Sequence, residues 1–320
     1  EKLKNKFPNI LLRVPKTVVI GTDVFDEFMD SNNLWDFALG NNSNADIEKQ
    51  FLKARLSRNL ILKLKEFILG TDFPIAVRSS SLMEDSQYQP LAGMYSTYML
   101  PNSHKNGKER LSQLCESIKR VYASTYFQDP KTLMNNIVQK HENEKMAIII
   151  MEMIGKKHGN LYYPSISGVA QSYNYYPVSH MERNEGVGFL ALGLGRTIAD
   201  GERCLRFSPK YPEILPQFYS TQSTLENSQN HFYALKLNNG KNPMKRGLMN
   251  NLIQLDLNTA ETDGELRSIA SVVSMENNII RDSLSYEGPR VLTFSPVLKW
   301  NEFPVCDILM ELLKLGRHLL

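Results

Sequence analysis

Phe73 to Met99 reads FPIAVRSSSLMEDSQYQPLAGMYSTYM and constrains the fold more than any other stretch of the chain. It opens with the apolar run Pro74 to Val77, which has the length and composition of a buried strand. That run delivers Arg78 and three serines, Ser79 to Ser81, at its C-terminal end. Glu84-Asp85 and Pro90-Leu91-Ala92-Gly93 follow, and a second strand-like run, Tyr95 to Met99, closes the unit. The pattern predicts a strand, a polar loop with small residues at its tip, and a returning strand. An arginine held at a strand end suits phosphate, because its planar fork donates two hydrogen bonds to one anion. Serine hydroxyls and the backbone N–H groups around Ala92-Gly93 suit the remaining oxygens. A plainer reading stands beside this one: Arg78 pairs with Glu84 or Asp85, and the serine run is only loop.

Helical and strand-like patterns alternate along the rest of the chain. Leu12 to Gly21 reads as a strand, and Asp23 as the N-cap of a helix with Val24, Phe25, Phe28 and Leu34 on one face. From Asp46 to Leu69, Ile47, Phe51, Leu52, Leu56, Leu60, Leu64 and Phe67 recur at helical spacing, which predicts one helix ended by Gly70. Lys108 to Phe127 predicts a second, with Tyr122 and Tyr126 as core aromatics. Met146 to Ile154 is a buried strand of branched and thioether residues. Tyr173, Tyr175 and Tyr176 read as sheet packing. Val187 onward is a strand running into Gly193-Leu194-Gly195 and a helical turn. Glycines there either admit phosphate to backbone N–H groups or simply make a tight turn. Arg206 is a candidate second cation near a site. Leu266 to Ile280 reads as amphipathic, Arg290 to Phe294 as a strand, and Val305 to Leu315 as a helix capped by Gly316.

Charge narrows the function. With 37 basic against 34 acidic residues, the net charge of +3 gives no support for nucleic-acid or anionic-membrane binding as the main task. The longest apolar run, Met146 to Met151, is too short to span a bilayer. Cys115, Cys204 and Cys306 match no metal spacing or disulfide framework, which fits reduced thiols in a cytoplasmic protein.

Val77-Arg78-Ser79-Ser80, then Glu84-Asp85, Ala92-Gly93 and Thr97, in this order and spacing, resembles the nucleotide-binding domain of phosphoenolpyruvate synthase and pyruvate phosphate dikinase. The resemblance implies an α/β (α+β), ATP-grasp-like fold of two lobes with mixed sheets and flanking helices. Residues 1–150 would form the lobe with the phosphate loop, and residues 151–320 the lobe that closes over the nucleotide. It implies that Arg78 acts on the transferring phosphates as the catalytic cation. Ser79, Ser80, Ala92, Gly93 and Thr97 would line the phosphate loop, and Glu152, Met153 and Ile154 would edge adenine, mostly through the main chain. ATP and Mg2+ are the implied cofactors. The implied partners are a phosphohistidine domain and a pyruvate-binding domain of the same longer protein, the first taking phosphate on a histidine.

The sequence also departs from that pattern. No Gly-Gly-Lys element occurs, Met94 and Tyr95 stand where the family has Gln-Gln, and Arg196 stands where it has Glu. None of His104, His141, His158, His180, His231 or His318 lies in the family's Thr-Ser-His context. The chain opens inside a helical pattern, Glu1 to Phe7, and stops before strands that would carry metal ligands, so the resemblance implies a fragment. These departures leave a second reading open, a catalytically inactive nucleotide-binding regulatory module.

Overall fold

The computed structural model describes residues 2–81, 84, 95–134, 144–237 and 251–319. The chain divides into two units. One comprises Val14–Ile154 and Leu235–Leu252; the other comprises Glu1–Arg13, Gly155–Ala234 and Ile253–Leu320.

The first unit is built on a four-stranded sheet of β1 (Thr17–Ile20), β2 (Ile75–Ser80), β3 (Tyr98–Leu100) and β4 (Ala147–Glu152), in the order β1-β4-β2-β3. Its neighbouring strands are antiparallel. Strand β4 occupies an inner position, and its sequence Ala-Ile-Ile-Ile-Met-Glu buries every second residue. Successive side chains point to opposite faces of a strand. Ile148 and Ile150 therefore share a face with Ile75 and Val77, and all four are fully buried.

That face belongs to one core with residues of the helices Thr22–Ser31, Asn44–Lys53, Arg58–Leu69 and Gly107–Ser124. Aromatic residues fill its centre. Phe25 meets Tyr122 edge-on at 5.0 Å, Phe28 lies 5.3 Å from Tyr122, and Phe51 lies 5.9 Å from Tyr126. Tyr122 and Tyr126 are wholly buried, as their helical spacing predicts.

Two expectations for this unit need correction. The single helix over 46–69 is two, because Ala54 turns to extended backbone and Ser57 caps a new start by accepting the Leu60 N–H. A hydrophobic repeat that runs through a short break in phase does not report the break; the serine does. Asp23 is not an N-cap: Gly21 holds that position and Asp23 lies in the first turn, where its charge still favours the helix dipole.

Between the helices, Arg120 donates to the carboxylate of Glu48 and, at 2.8 Å, to that of Glu116; Arg120 and Glu48 are both buried. The Leu235–Leu252 excursion is tied in by polar contacts. Ser103 Oγ donates to the Leu237 carbonyl, and Asn251 Nδ2 donates to the Met99 carbonyl at 2.6 Å.

The second unit carries β5 (Lys156–His158), β6 (Leu161–Tyr163), β7 (Ser167–Gln171), β8 (Val187–Ala191), β9 (Leu205–Phe207), most of β10 (His231–Lys236), most of β11 (Leu252–Asp256), β12 (Ala270–Ser274), β13 (Ile279–Arg281) and β14 (Arg290–Leu292). They form three sheets among the described residues, ordered β11-β10-β6-β5, β7-β8-β9 and β13-β12-β14. The amphipathic stretch 266–280 resolves into the end of a 3-10 turn, Glu265–Ser268, and a hairpin of β12 and β13. Val272 and Val273 favour strand here, and Asn278 at φ 51° makes the reversal.

Gly316 does not cap the last helix, which runs on from Val305 to Leu319. Tyr173, Tyr175 and Tyr176 are not packed in a sheet either. They lie in the loop after β7, and Tyr176 is 79% exposed. No helix among the described residues is long and apolar enough to cross a membrane.

Candidate functional site

The face of the first sheet opposite the core is open. By register it carries Val19 of β1, Ile149 and Met151 of β4, Ala76, Arg78 and Ser80 of β2, and Met99 of β3. Val19 is 62% exposed, and Ile149 and Met151 are half-buried. Val19, Ile149 and Arg78 form one cross-strand row, so an apolar strip ends in a guanidinium. Arg78 is exposed. Among the described residues it has neither an ion-pair nor a hydrogen-bond partner.

The plainer reading of Arg78 therefore fails for Glu84, whose carboxylate accepts from Ser79 Oγ at 3.3 Å while its N–H donates to Ser81 Oγ. Asp85 lies outside the described residues, as do Ala92, Gly93 and Met94.

The alternation of β2 separates the serines. Ser80 is half-buried on the open face beside Arg78, whereas Ser79, 5% exposed, points into the core side with Val77. Thr97 is half-buried, one residue before β3. At the other end of β4 the main chain is partly spoken for. The Glu152 N–H donates to the Lys16 carbonyl at 2.8 Å and the Met153 N–H to the Pro74 carbonyl at 2.9 Å. The Glu152 carboxylate, also buried, accepts from the Lys16 N–H at 3.2 Å. Ile154 differs: its side chain is 44% exposed, and among the described residues its amide and carbonyl have no partner. From the Ile149–Arg78 row to Ile154 is five residues, roughly 16 Å of extended chain.

The structure thus brings Arg78 and Ser80 together on an open face that leads along β4 towards Ile154, and turns Ser79, Glu152 and Met153 inward. Sequence reasoning missed the apolar strip. Ile148 to Met151 is apolar on both faces, so nothing in the sequence marks Ile149 and Met151 as the uncovered pair.

In the second unit, Gly193 and Leu194 follow β8. Gly193 sits at φ 80°, and a Cβ there would lie 2.8 Å from both the Tyr233 carbonyl oxygen and the Phe232 ring. Leu194 N–H donates to that same carbonyl at 2.9 Å. The tight-turn reading accounts for this glycine without a ligand. Gly193→Ala is expected to lower stability by about 1–3 kcal/mol, since it adds both backbone strain and a close contact. Urea unfolding checks this, and an unchanged midpoint would refute it.

Arg196 bonds Asp200 at 2.9 Å and lies over the Tyr233 ring at 5.2 Å. Glu202 accepts from Tyr233 Oη at 2.6 Å and lies 2.7 Å from His231 Nε2. Burial works to raise the Glu202 carboxyl, but those two hydrogen bonds outweigh it and hold it below its usual range. Arg206 is used structurally, donating to Asn174 Oδ1 at 2.6 Å and to the Tyr176 carbonyl at 2.7 Å.

A family model described as pyruvate phosphate dikinase, AMP/ATP-binding domain, matches residues 2–240. A search of curated proteins finds no match.

Proposed function

Because the chain belongs to the pyruvate phosphate dikinase AMP/ATP-binding domain family, we propose that it binds ATP along the open face of its first sheet and serves a dikinase-type phosphotransfer. The observation that carries this reading is Arg78, an exposed guanidinium without a partner among the described residues, at the end of the apolar row Val19–Ile149. In this arrangement the base lies at the Met151–Ile154 end of the face, and the sugar and phosphates pass over Ile149. The amide and carbonyl of Ile154, without partners among the described residues, supply a donor and an acceptor for the base edge. The triphosphate runs towards Arg78, Ser80 and Thr97. The span of roughly 16 Å between Arg78 and Ile154 is of the scale of an extended nucleoside triphosphate.

Phosphoryl transfer asks little covalent chemistry of a protein; it needs positioning and compensation of charge on the transferring oxygens. Arg78 supplies the charge. The acceptor in this reading is a histidine on another domain of a longer protein, and pyruvate receives the group from there. Magnesium accompanies ATP in such reactions through oxygen ligands. Among the described residues no three His, Cys, Asp or Glu side chains are grouped to hold a metal ion.

Two features support the alternative of a non-catalytic nucleotide-binding module. Arg196 is engaged by Asp200 and Tyr233, and Tyr95 is turned into the core. Calorimetric titration with ATP and magnesium is expected to show saturable binding, and absence of binding would remove both readings. If ATP binds, production of AMP separates enzyme from module.

A further inference from the structure

Tyr95 stands where the resembled family has a polar glutamine, yet it is 3% exposed and part of the core. Its hydroxyl donates to Glu144 Oε1 at 3.2 Å, and Glu144 is itself only 5% exposed. Burial, then the charge of Glu144, pushes the phenol above its ordinary range, so it remains a proton donor. Nearby, Ser81 Oγ accepts the Glu84 N–H at 3.3 Å. Glu84 in turn accepts from Ser79 Oγ. One residue after Tyr95, the Ser96 N–H donates to Ser124 Oγ at 3.0 Å on the helix Gly107–Ser124.

Two bonded groups result: Ser79–Glu84–Ser81 at the exit of β2, and Tyr95–Glu144. The second joins the approach to β3 with the approach to β4, the two strands that flank β2 at the end carrying Arg78 and Ser80. A buried, hydrogen-bonded pair rigidifies what it joins.

We propose that Tyr95, through Glu144, is a positioning residue for the phosphate end of the nucleotide site. This rests on the reading that ATP lies on the open sheet face. Tyr95 touches no phosphate. It holds the strand ends from which Arg78, Ser80 and Thr97 act. Small displacements of such groups weaken oriented contacts far more than they weaken the fold. The base end, at Ile154, lies at the opposite end of β4 and does not depend on this pair.

The test compares wild type, Tyr95→Phe and Tyr98→Phe in the full chain, by titration with ATP and with adenosine. Tyr98 is a buried phenol on β3 that lies near Arg120 and Glu48 instead, so its variant controls for the loss of any buried hydroxyl. Tyr95→Phe is expected to weaken ATP about tenfold and adenosine less than about twofold, with Tyr98→Phe unchanged on both ligands. Equal loss for ATP and adenosine, no loss in Tyr95→Phe, or the same ATP-specific loss in Tyr98→Phe would each overturn the positioning role. Failure of wild type to bind ATP would instead remove the nucleotide reading beneath it. Thermal melting of each variant confirms that the protein titrated is folded.

Discussion

Arg78→Ala is expected to weaken ATP binding by roughly ten- to a hundredfold, with little change in thermal stability. A charge-assisted hydrogen bond is worth about 1.5–3 kcal/mol, and about 1.4 kcal/mol is a factor of ten in affinity. The folded protein invests little in this side chain. It is exposed and, among the described residues, has no partner to strand when it is removed. Substitutions at such positions usually change stability by less than about 0.5 kcal/mol. Arg78→Lys is the informative companion, since it keeps the charge and loses the planar fork. It should fall between wild type and alanine. Calorimetry with ATP measures all three proteins, and equal affinities would show that the nucleotide, if bound, does not use this cation.

Arg120→Met should cost about 3–5 kcal/mol of stability, because it leaves the buried Glu48 carboxylate without its main counter-charge. Glu116, the other partner of Arg120, is more exposed and can turn to water. The pairing links the helices Asn44–Lys53 and Gly107–Ser124 beneath the sheet. A buried pair is often replaceable as a unit by apolar residues at little net cost. Arg120→Met combined with Glu48→Leu should therefore recover most of the loss. Urea unfolding measures both variants. A single mutant within about 1 kcal/mol of wild type would show that the pair is not where this core holds its charge.

Much of the first sheet was legible because short runs of branched residues admit few alternatives. Ile75 to Val77 and Ala147 to Met151 are strands on composition alone, and the α+β class came from the family resemblance. Residues that sit on one face or the other by alternation were harder. Arg78 and Ser79 are neighbours in sequence and both polar, and the family resemblance credits both to a site. Only the register with Ile149 and Ile148 sends one outward and the other inward. Tyr95 was read as a departure from a family pattern, whereas its role lies in the 49-residue separation from Glu144, which no local pattern records. The 266–280 stretch was read only as amphipathic, with no element assigned. The Asn277-Asn278 reversal is the signal that decides for a hairpin.

The excursion of Leu235–Leu252 into the first unit sets the order in which that unit can mature on the ribosome. The Met99 carbonyl and the Ser103 hydroxyl gain their partners from Asn251 and Leu237, 152 and 134 residues later in synthesis. Domains commonly fold as they emerge, N-terminal part first. Here the earlier unit stays incomplete at the end of β3 until most of the later one has left the exit tunnel. A nascent chain halted after Ile154 would therefore present an unfinished sheet corner to chaperones and proteases. The last strand of protection arrives only when residue 251 does.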